Sequence, residues 1–176
     1  MDEKKWLEIK AKWAGKEMEF KSSKPTPDFK KDLKKGQASE HDFFMKYQKH
    51  LTRTDGRRGD FEINKTGDIL ELKTDYYDPT STPNMFIELY SYKEEPGGPF
   101  QSKLNGSKYY AYWFPNGDLL YLFNVDQLVK RMKKIMPTLD KTFIKNKSYV
   151  TTGYLVEREL LEDLCLDPAE VILDGK

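Results

Sequence analysis

An α/β fold is what this chain predicts, and three observations carry the prediction. Apolar and polar residues alternate with period two over Asp60 to Lys73, as in half-buried strands. Segments with apolar residues three and four apart, as on helices, lie on both sides of that stretch. The run Tyr109 to Phe114 is too continuously aromatic for a half-exposed strand, which makes it a central one. At 176 residues one domain is the default, and a chain of this size buries about 70% of its unfolded surface, enough for a full core.

From the start, residues 2–20 read as a charged amphipathic helix with Trp6, Ile9 and Trp13 on one stripe. Two tryptophans on one stripe imply docking, on the chain's own core, on a second copy or against a nucleobase. Lys21 to Lys35, rich in lysine with two prolines, reads as a linker that serves either as a solvated connector or as a basic arm along DNA. The organisation expected is an N-terminal helix and basic linker over 1–35 and one compact domain over 36–176. Gly36 to Thr54 reads as a helix, with Phe44, Tyr47 and Leu51 on one stripe and Phe43 beside it. Glu40 extends that stripe by one turn, where a carboxylate is costly unless something compensates it. The competing account starts the helix at Gly36 or Ser39, so that Glu40 sits at the positive end of the dipole.

Thr54 to Gly59 is a glycine-flanked basic turn whose Arg57 and Arg58 suit contact with a phosphate. Phe61 and Ile63 then alternate with Asp60 and Glu62, and Leu70 and Leu72 with Glu71 and Lys73. The turn residues Asn64 to Gly67 join the two runs into an antiparallel hairpin. A four-residue loop there places Asp60 opposite Glu71 on one face, whereas a one-residue slip puts Asp60 among the leucines. Thr74 to Pro83 reads as a loop, and Met85 to Tyr92 as a strand with Phe86, Glu88 and Tyr90 on one face and Ile87 and Leu89 on the other. Glu94 to Gly98 is a turn, and Pro99 to Ser107 includes a short helix that presents Gln101, Ser102 and Lys103 to DNA. Pro115 to Asp118 turns the aromatic strand into its hairpin partner, Leu119 to Phe123. Asn124 or Asp126 caps a helix over Val125 to Met136 with Leu128, Met132 and Ile135 inward. Thereafter Thr138 to Lys147 reads as irregular, Tyr149 to Val156 as a short strand, and the stretch around Glu157 to Leu164 as a final helix.

The hairpin carries the chemistry. Two carboxylates about 5 Å apart repel by roughly 3 kcal/mol at an effective dielectric near 20, and a single lysine cannot neutralise both. A divalent cation can, and hard oxygen ligands favour Mg²⁺ or Mn²⁺. Asp60 and Glu71 would hold it with the backbone carbonyl of Leu72, a metal-bound water would attack a phosphodiester, and Lys73 would orient that water and offset developing charge. The plain alternative is a solvated hairpin face with mixed charges. Bare Glu-x-Lys spacing carries no weight, since it recurs at Glu8-Ile9-Lys10 and Glu19-Phe20-Lys21 in a chain with 34% charged residues. Glu88 is either an additional acid near the metal or an exposed strand residue.

The helix with Glu40, the strand with Asp60, Glu71-Leu72-Lys73-Thr74-Asp75 on the next strand, a third strand with Asn84 to Glu88, and the later run Ser107 to Trp113 together resemble the PD-(D/E)xK nuclease superfamily. They are similar to its small phage and bacterial members, including resolvase-like ones, over approximately residues 36–136. The resemblance implies a restriction-endonuclease-like core with a central mixed β-sheet flanked by helices, and Mg²⁺-dependent DNA cleavage in DNA processing, recombination or repair. It implies metal ligation by Asp60 and Glu71 with Lys73 catalytic and Glu40 as accessory ligand; beside these, Asp75 and Glu88 are candidate supporting acids, and Arg57, Arg58, Gln101, Lys103 and Lys108 candidate DNA contacts. A homodimer is consistent with enzymes that cut both strands. Gly59 stands where the named motif has proline. The rival on the same scaffold is a non-catalytic DNA-binding or assembly module.

The rest narrows the class. A net charge of +1 does not advertise a nucleic-acid binder, although lysines crowd the first third and Lys130 to Lys147 while Glu157 to Asp174 is acidic. No apolar run is long enough for a bilayer and no secretory h-region opens the chain, so a soluble, cytoplasmic protein without a membrane partner is expected. The single Cys165 excludes an intramolecular disulfide framework, and His41 and His50 lack the spacing of a helical zinc pair. There is no phosphate-binding loop, dinucleotide fingerprint or nucleophile elbow.

Overall fold

A computed structural model describes residues 27–146 and 149–173. The helix expected over 2–20 and the first part of the linker lie outside the described residues. Helix α1 (Pro27–Tyr47) starts nine residues earlier than the periodicity indicates and ends sooner, so residues 27–35 are helix rather than linker. Pro27 suits a first helical position, where the missing N–H costs nothing. Leu51, expected on the helical stripe, instead opens strand β1 (Leu51–Arg53), which pairs antiparallel with β2 (Phe61–Ile63).

From β2 the chain turns through Asn64 to Gly67 into β3 (Ile69–Thr74). The register is Phe61 opposite Leu70 and Glu62 opposite Ile69, and the Ile63 N–H reaches the Asp68 carbonyl at 2.8 Å, which closes the expected four-residue loop. Strand β4 (Asn84–Tyr90) and helix α2 (Gly98–Asn105) follow, and return the chain to β5 (Tyr109–Phe114), parallel to β3. Strand β6 (Leu119–Asn124) completes a hairpin with β5, and Asn124 caps α3 (Val125–Ile135) by accepting from the Gln127 N–H at 3.1 Å. The segment expected to be irregular contains β7 (Lys141–Lys145), and β8 (Val150–Glu157) pairs with it. In place of the final helix, 3₁₀ turns cover Arg158–Leu160 and Glu162–Leu164, and only the single turn α4 (Pro168–Val171) is α-helical.

The strands form a mixed five-stranded sheet ordered β1-β2-β3-β5-β6 and a second, three-stranded sheet ordered β4-β8-β7. The fold is therefore α/β with a mixed central sheet flanked by helices, and β4 lies outside that sheet. Alternation divides the central sheet into two faces. Leu70, Ala111, Trp113, Phe61 and Ile63 pack with Phe43 of α1 on one. Tyr110, Tyr112, Phe114 and Phe123 pack with α3 and with Met85, Ile87 and Leu89 of β4 on the other. Phe43, fully buried, is the centre of the α1 contact, with ring centroids 5.7 Å from Phe61 and 5.5 Å from Trp113. Among the described residues no helix is long and apolar enough to cross a membrane.

Truncating Phe43 removes the ring that joins α1 to the central sheet. Phe43→Ala should cost about 3–5 kcal/mol of unfolding free energy, measured by urea denaturation. An effect below about 1 kcal/mol would show that α1 is not seated on the sheet through this residue.

Candidate functional site

Period two on β3 places Glu71 and Lys73 on the face opposite Leu70 and Leu72. The parallel register with β5 sets Tyr110 beside Glu71 and Tyr112 beside Lys73. Continuing the β2–β3 register by one pair brings Asp60 opposite Glu71, but Asp60 is no longer a strand residue. Its N–H donates to the Leu70 carbonyl at 3.0 Å, and its Oδ2 accepts the Leu72 N–H at 2.8 Å. The Asp60 side chain thus replaces the backbone partner that β3 loses where β2 begins. Because N–H and C=O of one strand residue point the same way, the Leu72 carbonyl also faces this side.

The chain enters Asp60 by a narrow path. Gly59 has φ of +152°, and a Cβ there would lie 2.5 Å from Ile69 Cγ2 and 2.8 Å from Ser107 Oγ. Neither proline nor any other side-chain-bearing residue fits this position without displacement. The Thr54 hydroxyl donates to the Gly59 carbonyl and the Ser107 hydroxyl to the Arg58 carbonyl, so both ends of the bend are anchored.

Glu40 lies thirteen residues into α1, too far from its first turn for capping or the dipole to account for it. Ser39 does not cap either: its hydroxyl bonds back to the Gly36 carbonyl at 2.8 Å inside the helix. The negative charge of Glu40 instead acts on the hairpin acids. Burial raises the Asp60 carboxyl above the usual range, the Leu72 N–H partly opposes this, and the negative charge of Glu40 adds to it. Burial raises Glu71 further, helped by Asp60 and Glu40 and opposed by Lys73. Burial likewise raises Glu40, with Arg53 opposing.

Glu88 comes from the second sheet. Burial raises its carboxyl and Lys73 lowers it, so the Lys73 charge acts on both Glu71 and Glu88. Gly97 and Gly98 at the start of α2 close over Glu88, where a Cβ on Gly97 would lie 2.6 Å from Glu88 Cγ. The Tyr110 hydroxyl, wholly buried, feels Glu88, Glu71 and Asp60 together, and burial first of all holds its pKa well above the ordinary value. Sequence reasoning missed Tyr110, whose only signal is its place in the aromatic strand. Parallel pairing with β3 is what brings it beside the acids.

The other expected residues separate. Asp75 is committed to structure: Oδ2 accepts from the Tyr112 hydroxyl at 2.6 Å and Oδ1 from the Tyr77 N–H at 2.9 Å. Arg57 and Arg58 are exposed on the bend before Asp60, with Arg57 Nε 3.6 Å from Asp55 Oδ2. Lys103 pairs with Asp126 at 3.1 Å and Lys108 with Asp68 at 2.9 Å. Gln101 is half-buried, and Ser102, expected to face DNA, is buried with its hydroxyl on the Gly98 carbonyl at 3.0 Å. Lys108 lies at the β3 end that begins with Ile69, remote from Lys73.

Hard oxygens from Glu40, Asp60 and Glu71, with the Leu72 carbonyl, are the donors a divalent cation takes. Burial first, and then the charge of Glu40 on Asp60 and of Asp60 and Glu40 on Glu71, raises these carboxyls, and a dication would oppose both effects. Among the described residues, no three Asp, Glu, His or Cys side chains close on one point as a finished ligand set. In comparisons with family models, with curated proteins and with solved structures, nothing matches this chain.

With the folded-state pKa of Glu71 above its unfolded value, the folded chain retains a proton the unfolded chain has released. Metal-free stability should therefore fall as pH rises from the ordinary carboxylate range through that elevated value. Glu71→Gln removes the source. At about pH 8 it should raise the melting temperature, by an amount on the order of 1 kcal/mol in stability, and flatten the slope of stability against pH. A variant melting below the parent at this pH would contradict the crowding.

Proposed function

We propose that this chain is a metal-dependent nuclease that hydrolyses DNA phosphodiesters with Asp60, Glu71 and Lys73, the reading that the resemblance to PD-(D/E)xK enzymes also favours. The observation that carries it is the Asp60 carboxylate held on the Leu72 N–H beside Glu71, with Lys73 half-buried on the same strand and the charge of Glu40 acting on both acids. A structural salt bridge needs one acid for one base. Here three carboxylates share a region with a lysine that also serves Glu88. Such an excess of partly buried negative charge is costly to keep, and phosphoryl chemistry with a divalent cation is the use that explains it.

Asp60 and Glu71 would hold Mg²⁺ or Mn²⁺ with the Leu72 carbonyl, and Glu40 would serve as accessory ligand. When bound, the cation supplies Lewis-acid polarisation of the phosphodiester and lowers the pKa of a water. Lys73 contributes a compact positive charge that orients the attacking water and stabilises negative charge gathering on the phosphoryl oxygens. The Leu72 N–H fixes one oxygen of Asp60 and leaves the other for ligation. Arg57 and Arg58, exposed on the bend that leads into Asp60, are placed to meet the strand's phosphates.

One observation favours a second reading, a DNA-binding or assembly module without turnover. The carboxylates do not already converge as three ligands, and one Asp60 oxygen is committed to Leu72. Turnover separates the two. Purified protein with Mg²⁺ or Mn²⁺ should cut DNA, and Asp60→Ala and Lys73→Ala should each lower kcat by about 100-fold or more while leaving the melting curve cooperative. Intact DNA under every condition, or variants that cut as well as the parent, would support the module instead.

A further inference from the structure

Beyond Lys73 the chain makes a short aromatic turn that the proposed chemistry does not use. Tyr77 lies four residues past Lys73, within about 13 Å along an extended chain, and 73% of its surface is exposed. An exposed tyrosine is ordinary on a loose loop, but this turn is pinned. The Tyr77 N–H donates to Asp75 Oδ1 at 2.9 Å, and Asp75 Oδ2 is itself held by the Tyr112 hydroxyl at 2.6 Å. The neighbouring Tyr76 is fixed at both ends: Asn116 Nδ2 donates to its carbonyl, and its hydroxyl donates to the Lys35 carbonyl at 3.4 Å. Lys35 Nζ lies 5.0 Å from the centre of the Tyr76 ring. The result is a solvent-facing Tyr77 ring on a hydrogen-bonded backbone, within that reach of Lys73.

Accepting the nuclease reading, on which this step rests, the charge at the site raises a difficulty for binding. Before a cation arrives, the acids around Lys73 repel a phosphate backbone, so a non-ionic contribution near the scissile bond would add to what the exposed Arg57 and Arg58 supply. Stacking of a base on an aromatic face supplies one without regard to sequence. Only an unpaired base offers its face, because duplex stacking hides all but the terminal ones. We infer that Tyr77 is a stacking platform for an unpaired nucleobase, and that the preferred substrate has single-stranded character beside the scissile phosphate, as in a free strand, a flap or a frayed junction.

The test measures binding and cutting separately. A fluorescein-labelled single-stranded oligonucleotide and a blunt duplex of the same length are titrated with protein in EDTA, where neither is cut, and binding is read by anisotropy. Tyr77→Ala should weaken single-strand binding about 5- to 150-fold, Tyr77→Phe should remain within about twofold of the parent because the ring is kept, and duplex binding should not change. The same DNAs with Mg²⁺ then report cleavage. If the parent cuts DNA while Tyr77→Ala binds single strands as the parent does, or loses both DNAs equally, the stacking platform is overturned and the nuclease reading stands. A parent that neither binds nor cuts either DNA overturns both.

Discussion

One hydrogen bond sets the geometry on which the candidate site depends: the Leu72 N–H to the Asp60 carboxylate. A strand N–H in a partly buried sheet must find an acceptor, and leaving it unmet costs more than most side-chain contacts gain. On β3 the backbone partner ends with β2, and Asp60 takes its place. That substitution draws the carboxylate into the plane of the sheet beside Glu71. It also explains the glycine before it, since the chain must bend tightly under Ile69 to bring Asp60 there. The acid is therefore placed by the sheet's own need for an acceptor, and the crowding with Glu71 follows from that placement.

The second constraint is the division of β3 between an apolar face and a reactive one. Leu70 and Leu72 hold the strand to the α1 core, so neither Glu71 nor Lys73 can turn away without moving the leucines. Tyr112 links this strand to the separate sheet that carries Glu88. Its hydroxyl donates to Asp75 at the end of β3 and accepts the Phe86 N–H of β4 at 3.1 Å. Two sheets that share no strand are thus bound together beside Lys73, and this sets how Glu88 approaches the lysine. Glu40 lies on α1 one turn before Phe43, which docks on Phe61 and Trp113, and its charge reaches Asp60 and Glu71.

The hairpin was legible in the sequence because three local signals agree there: period two, turn residues at the right spacing, and leucines that forbid a slipped register. The aromatic strand β5 and its hairpin with β6 were legible for the same reason. The start of α1 was not, since proline and lysine suggest a linker until a helix is given a surface to dock on. Leu51 fitted the helical stripe equally well, and only pairing with Ile63 makes it a strand residue. Strand β7 is an edge, largely exposed and lysine-rich, so it carries little hydrophobic signal. Tyr110 could not be found from local pattern, because its relation to Glu71 exists only once two distant strands lie parallel.

The buried charges of Asp60 and Glu71, with Glu40 acting on both, carry an electrostatic cost that a dication would remove. Burial, and then neighbouring charge, lifts Asp60 to about 6 and Glu71 to about 8, so a metal that binds them near neutrality must expel protons. Calorimetric titration of Mn²⁺ into the protein at about pH 7, repeated in two buffers of different ionisation enthalpy, measures that release directly. Mn²⁺ should bind with a net release of protons, and both binding and release should be lost in Glu71→Gln. Mn²⁺ binding with no proton release, or binding that persists unchanged in the variant, would contradict it.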